Sequence, residues 1–298
     1  MAGLSRFANA EDSAPAAAKE EEVFNAYNRM RTFDNNEMDK GKPWVAKKHG
    51  NFDLNDPYDN RLAKMKMSNN LVGKRSYVAM MIRQIVAREE LPGGLLVGGV
   101  ALFSWQLQVP DPKEFPNLPE DSLIMRSLYT ARYLDPHTME LVETMKNPFN
   151  GKMMKLEDAF FAENYISYPK GGTSFVEEPE FSNDDPDAPK PALIKRWGDE
   201  LTMYTGGIYS NPGQHQPRFT ETNWTCKYDD VMNPDKHLID SRFNIMAVNK
   251  AFEKPWAGYT LDDKDLLCSH ATGRKIHSVE EIPEFHKRLI CERYPERL

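Results

Sequence analysis

The chain has 298 residues, with 38 Lys+Arg against 45 Asp+Glu, and a formal net charge of −7. That balance argues against nucleic-acid binding as the main task, because a phosphate backbone is met by a basic face. Hydrophobic residues make up 40% of the chain and aromatics 11%, enough for a core and too apolar for a wholly disordered chain.

Residues 1–15 are rich in Ala, Ser and Glu and read as a disordered lead. Residues 16–298 read as a single domain. Its first element is a helix over residues 16–31. Val23, Phe24, Tyr27 and Met30 fall on one stripe, and Glu20, Glu21 and Glu22 sit toward the end where the helix dipole favours acids. No apolar h-region stands at the start, so no secretory signal is expected and the expected location is cytoplasmic. The most apolar stretch, residues 91–107, contains Pro92 and four glycines. It falls short of the ~20 apolar residues that a membrane-crossing helix needs, so no membrane span is expected.

Strand candidates follow at residues 43–48, 61–67, 76–83, 100–109, 122–134, 140–145, 200–209, 219–228 and 242–248. They are rich in aromatic and β-branched residues and are divided by Gly, Pro, Asn and Asp clusters. Asp135-Pro136-His137-Thr138 reads as a tight turn, with Asp135 bonding the backbone beyond it. Asn147-Pro148-Phe149-Asn150-Gly151 reads as a second, with Asn150-Gly151 suited to positive φ. Consecutive tight turns imply antiparallel pairing, because parallel strands need a long crossover. Two proline-rich segments, 109–120 and 177–192, read as loops. Near the C-terminus, Ser278-Val279-Glu280-Glu281 reads as a short turn. A helix over residues 283–294 follows, with Pro283 as its first residue and Phe285 and Leu289 in its packing stripe. The expected fold is all-β: an antiparallel, lipocalin-like β-barrel with flanking N- and C-terminal helices.

Motifs for common chemistry are missing. Cys226, Cys268 and Cys291 form no C-x-x-C pair, so neither a disulfide framework nor a zinc site is expected. The Gly93–Gly99 stretch is neither G-x-G-x-x-G nor a P-loop, and a hairpin turn or bulge is favoured there. Cys268-Ser269-His270 has the look of a nucleophile and base, but neighbours on a strand point to opposite faces. The seven histidines show no metal-binding spacing. No metal and no cofactor are expected.

What stands out is aromatic side chains beside polar ones on predicted strands. Ala101, Phe103, Trp105 and Leu107 form one face of their strand. Leu123, Met125, Ser127, Tyr129, Ala131 and Tyr133 form one face of the next. Strands partly apolar on both faces suit a barrel or sandwich with a lined interior. An ordinary β core is the plainer reading of the same pattern. As ligand-binding candidates we take Trp105, Tyr129, Tyr133, Trp224 and Phe243. The odd face is favoured as the interior because it carries less charge, and a buried charge is costly unless paired.

Two segments resemble a known family. Residues 129–152 contain Leu134-Asp135-Pro136-His137-Thr138 and Asn147-Pro148-Phe149-Asn150-Gly151-Lys152. The later segment pairs Lys254-Pro255-Trp256-Ala257-Gly258 with Gly273-Arg274-Lys275-Ile276-His277-Ser278 and Glu281-Ile282-Pro283. Together they are similar to the family of domain of unknown function eighteen thirty-eight, found in bacteria and filamentous fungi. The chain departs from that pattern at Met145 and Lys254. The resemblance implies a lipocalin-like antiparallel barrel and carries no general function or site residues. In general character the chain is also similar to acidic, cofactor-free fungal cyclases of secondary metabolism, among them hetero-Diels–Alder enzymes that join a quinone methide to a terpene alkene.

A cycloaddition needs no nucleophile, metal or nucleotide. It gains from holding two partners in reacting geometry and from a donor on the electron-poor partner's carbonyl. On this reading Arg126 and Tyr204 are the catalytic donors, and the partner is an apolar or aromatic small molecule, terpenoid in the fungal case. The alternatives are a non-catalytic small-molecule carrier and a metal-dependent enzyme whose ligands come from distant segments. A homodimer is left open.

Overall fold

The computed structural model describes residue 38 and residues 41–88, 91–146, 153–171, 173–175, 191–209, 218–250 and 266–298. The expected helix over residues 16–31 and the Asn147–Gly151 turn lie outside them, as does the segment around Trp256.

Ten strands form one antiparallel sheet. In chain order they are β1 (Ser76–Arg88), β2 (Leu91–Gln108), β3 (Leu123–Leu134), β6 (Ala159–Ser167), β7 (Thr173–Phe175), β8 (Leu193–Trp197), β9 (Glu200–Tyr209), β10 (Arg218–Lys227), β11 (Arg242–Lys250) and β12 (Leu266–Ile276). The order across the sheet is β7-β6-β3-β2-β1-β12-β11-β10-β9-β8. A separate hairpin pairs β4 (Thr144–Lys146) with β5 (Met153–Lys155). The fold is therefore all-β and antiparallel. Its sheet is not closed, since β7 and β8 are opposite edges.

The sheet curls strongly. Trp105 on β2 and Trp224 on β10 are four strand steps apart, about 19 Å on a flat sheet at ~4.8 Å per step. Their ring centroids are 5.6 Å apart. Only a trough whose walls face one another permits that contact. Even positions of β1 and β10 and odd positions of β2, β3, β9, β11 and β12 point into it, through Val78, Met80, Ala101, Trp105, Leu123, Met203, Trp224, Phe243 and Ala271. On the outer face Tyr77, Ala79, Val100 and Leu102 pack under the C-terminal segment, against Ile282, Leu289 and Ile290.

Residues 61–67 are not a strand but the middle of a helix, α1 (Pro57–Ser68). Asp56 caps it by accepting from the Asp59 N–H at 2.9 Å, and Pro57 takes the first turn, where its missing donor costs nothing. The alternation of Leu62, Lys64 and Lys66 with other residues misleads because α1 is buried nearly all round, cations included. Lys66 Nζ donates to the carbonyls of His49 (2.6 Å), Val231 (3.0 Å) and Asn233 (2.7 Å). Lys275 Nζ, from β12, donates to the carbonyls of Lys66 (2.7 Å), Met67 (3.1 Å) and Asn69 (2.8 Å) at the C-terminal end of α1. Those are the carbonyls that a helix end leaves unpaired, and a cation there also meets the negative end of the dipole.

α1 sits where the two margins of the sheet approach each other. Asn60 Nδ2 donates to Ala192 O beside β8 at 3.0 Å. Arg61 Nη1 donates to Ser167 O at the end of β6 and to Asp121 O before β3. The helix thus spans the opening that the sheet leaves.

Residues 43–48 contribute only single bridges, Pro43 to Gln108 and Val45 to Val72. The glycine-rich stretch runs within β2 and carries the bulge: Gln84 pairs with Val97 but Ile85 with Leu95. Asp135 makes its turn as expected, Oδ1 accepting from the His137 and Thr138 N–H groups at 2.8 Å each. At the C-terminus Pro283 is the cap rather than the first helical residue. A helical stretch runs through Glu284–His286 (α3) and Lys287–Cys291, and a short α2 (Tyr228–Met232) lies between β10 and β11.

Candidate functional site

The inner wall carries a continuous chain of rings. Phe103 meets Tyr129 across β2 and β3 at 4.7 Å and Trp105 along β2 at 5.2 Å. Trp105 meets Trp224 at 5.6 Å, and Trp224 meets Phe243 at 4.7 Å. Cross-strand register places them: Phe103 pairs with Tyr129 and Trp224 with Phe243, and directly paired residues share a face.

Beside the rings lies a polar row. Ser76, Trp105 and Ser127 are consecutive partners across β1, β2 and β3, so all three face the interior. They are 1%, 8% and 3% exposed. Ser76 Oγ, Trp105 Nε1 and Ser127 Oγ have no hydrogen-bond partner. Asn69, just past α1, joins them from below. Its Nδ2 reaches Met125 Sδ at 3.4 Å, and its Oδ1 is buried without a partner. Buried polar groups are nearly always hydrogen-bonded, and each exception calls for an explanation. A row of three neighbouring exceptions on one aromatic wall has the chemistry of a binding surface. The indole N–H only donates, while each hydroxyl donates or accepts. The row therefore suits a neutral carbonyl or hydroxyl group on an otherwise apolar molecule.

Of the five ligand-binding candidates, Trp105, Tyr129, Trp224 and Phe243 belong to this ring chain. Tyr133 is buried on the same face of β3, four residues farther along, or ~13 Å at ~3.3 Å per residue. The two donor candidates lie on the opposite face. Arg126 donates from Nε to Gln108 Oε1 at 2.7 Å and approaches Glu114 at 4.0 Å, beneath the proline-rich segment 109–120. Tyr204 pairs with Leu193 and Asn223, whereas its neighbours Leu201 and Met203 fill the core. A strand alternates faces at every residue, so neither Arg126 nor Tyr204 reaches the interior without a bulge. Arg132 is also outward, bound to Asp158 Oδ2 at 3.0 Å and to Leu289 O at 3.1 Å.

Ser76, Phe103, Asn69 and Ser127 were not among the candidates. Ser127 had a legible signal: it is the one aliphatic hydroxyl on a face of β3 otherwise made of Leu123, Met125, Tyr129, Ala131 and Tyr133. Asn69 and Ser76 had none, because their burial depends on where α1 and β1 dock.

Among the described residues two of the three cysteines are muted by burial. Burial pushes the Cys226 thiol up to about 12, out of reach as a nucleophile at neutral pH. Cys291 is raised for the same reason. No cluster of three or more His, Cys, Asp or Glu gathers among the described residues. No helix among them is long and apolar enough to cross a membrane.

No family model matches the chain, and no curated protein matches it. Among solved structures, a DUF1329 family protein from Desulfovibrio piger aligns with 79% of this chain and 97% of its own, at 8% identity and a TM-score of 0.23. A likeness that slight bears on neither fold nor function.

Proposed function

We propose that the curled sheet holds one apolar, aromatic or terpenoid-like small molecule bearing a neutral hydrogen-bond acceptor, and that the chain is a lipocalin-like binding or carrier protein. The unpartnered row Ser76–Trp105–Ser127 beside four aromatic side chains in tilted and edge-on contact carries this reading. Apolar binding sites typically pair a mostly hydrophobic lining with a few placed polar groups. A ligand carbonyl set against the row would answer donors that otherwise cost about 1–3 kcal/mol each when buried unmet.

Cyclisation is the second reading. Its support is that the same donors, in an aromatic and water-poor interior, would polarise a substrate carbonyl. Trp105 and the two serines then take the role that the sequence assigned to Arg126 and Tyr204.

The test is a fluorescence titration with the neutral naphthyl ketone Prodan, whose emission reports polarity and whose carbonyl accepts hydrogen bonds. Saturable binding of one probe per chain, with blue-shifted emission and quenched tryptophan, is the expected result. Ser127→Ala should weaken it roughly 3- to 10-fold, the worth of about one hydrogen bond. Binding that never saturates, or that ignores Ser127→Ala, would overturn the reading.

A further inference from the structure

Arg61, in the first half of α1, is 1% exposed. Its Nη1 is spent on two backbone carbonyls, Asp121 O at 2.8 Å and Ser167 O at 3.3 Å. Its Nε and Nη2 have no hydrogen-bond partner. Those two N–H groups lie along one edge of the guanidinium and point the same way. That edge is the fork that grips a carboxylate with two parallel hydrogen bonds.

The surroundings leave the edge unanswered. Asp121 supplies its carbonyl to Nη1, while its carboxylate is bound to exposed Lys47 at 3.2 Å. Tyr58 and Trp44 lie against the guanidinium, 5.0 and 5.7 Å from ring centroid to Cζ. The Tyr58 hydroxyl and the Asp121 carboxylate both favour the charge from close by, Tyr58 as a hydrogen-bond partner of the guanidinium, but neither meets strict hydrogen-bond geometry at Nε or Nη2. Two more buried donors go unmet beside the carbonyls that hold Nη1. Ser167 Oγ belongs to one of those carbonyl residues, and Ser122 Oγ to the residue after the other. A buried guanidinium with no carboxylate bonded to it is costly unless something pairs with it, and burial lowers Arg61 from its ordinary value despite the nearby Asp121 charge.

We propose that Arg61, with Ser122 and Ser167, forms a buried carboxylate-binding site between α1 and the ends of β3 and β6. The two rings stacked on the guanidinium give the site an apolar rim, so the class of ligand is a small organic acid rather than a hydrated inorganic anion. This site is separate from the neutral aromatic wall. Ser167 pairs with Leu123, four paired positions (~13 Å at ~3.3 Å per residue) toward the α1 end from the row that holds Ser127, with the fully buried Leu107 and Leu123 near that end.

The experiment compares octanoate, octanamide and chloride by isothermal titration and by the Arg61 Nε–H signal in a nitrogen–proton correlation spectrum. Octanoate is expected to bind saturably and to move the Nε–H signal downfield. Octanamide and chloride are expected to bind at least 10-fold more weakly. Arg61→Lys keeps the charge but lacks the fork, and should lose at least 10-fold in octanoate affinity. The double variant Ser122→Ala, Ser167→Ala should lose a few-fold while keeping Arg61's structural bonds. If Arg61→Lys does not fold, the Nε–H shift in the wild-type chain decides alone. An unmoved signal at saturating octanoate, equal binding of acid and amide, or chloride binding as tightly as octanoate would each overturn the proposal. Prodan carries no charge, so its binding succeeds or fails independently of this result.

Discussion

Trp105→Phe separates a binding surface from an ordinary core. In the free protein Nε1 is buried and unpartnered, so its removal lifts a cost of about 1–3 kcal/mol. Phenylalanine leaves a void of roughly 40 Å³, which at ~24 cal/mol per Å³ costs about 1 kcal/mol. The two effects nearly cancel, and urea unfolding should give a midpoint within about 1 kcal/mol of wild type at unchanged slope. Affinity behaves differently. The variant keeps a ring between Phe103 and Trp224 but offers no donor, so Prodan binding should fall roughly 5- to 10-fold, the worth of one hydrogen bond. Trp105→Ala should instead lose about 3–5 kcal/mol of stability. The reasoning is refuted if Trp105→Phe loses several kcal/mol of stability while affinity stays unchanged, because that is how a satisfied core tryptophan behaves.

Four further outcomes follow from the geometry. Arg126→Ala and Tyr204→Phe should leave Prodan affinity unchanged, since both side chains lie outside the trough. Arg126→Ala should also raise proteolysis within segment 109–120, which that side chain pins through Gln108 and Glu114. Burial lowers Lys275 from its ordinary 10.5 to about 7. Between those values the unfolded chain holds a proton that the folded chain lacks, so this group makes stability rise with pH, by up to about 1.4 kcal/mol per unit. Lys275→Met should make the rise shallower between pH 7 and 9, as read from urea midpoints, leaving the shares of Lys64 and Lys66, which burial lowers to about 8. Gly273→Ala would place a Cβ 2.3 Å from Ala79 O, forcing β1 and β12 apart at a cost of about 1–3 kcal/mol, measurable as a lower melting temperature. In native protein at pH 8 a thiol reagent should leave Cys226 and Cys291 unmodified, both being buried and raised, and should reach them only in denaturant.

Legibility followed the physics of each element. β1, β2, β3, β9, β10 and β11 were readable because long, aromatic and β-branched runs end in turn residues, and Asp135 writes its own turn. β5 to β8 and β12 were missed. β5 to β8 lie toward the sheet margins or in the separate hairpin and are mostly short. β12 lies in the middle of the sheet, but its Ser269, His270, Thr272, Gly273, Arg274 and Lys275 hide the strand pattern. α1 was misread because a helix buried on most sides has no polar face, and its buried Arg61 and Lys66 are answered by carbonyls distant in sequence. The Gly273-Arg274-Lys275 motif is structural in this fold. Gly273 lets β1 approach, and Lys275 closes the end of α1. The inward face of β2 and β3 was legible from charge and aromaticity. The unmet hydrogen bonds that mark the site were not, because an unmet bond is a property of packing across β1, β2, β3 and α1 together.

The central claim is that the interior donors meet a ligand. The most direct measurement is the Trp105 indole N–H resonance, assigned through Trp105→Phe, as Prodan is added to saturation. The account predicts a downfield shift of that signal in step with the fluorescence titration, lost when Prodan is replaced by a naphthalene lacking the ketone. A Trp105 signal that stays in place while Prodan binds saturably would contradict it.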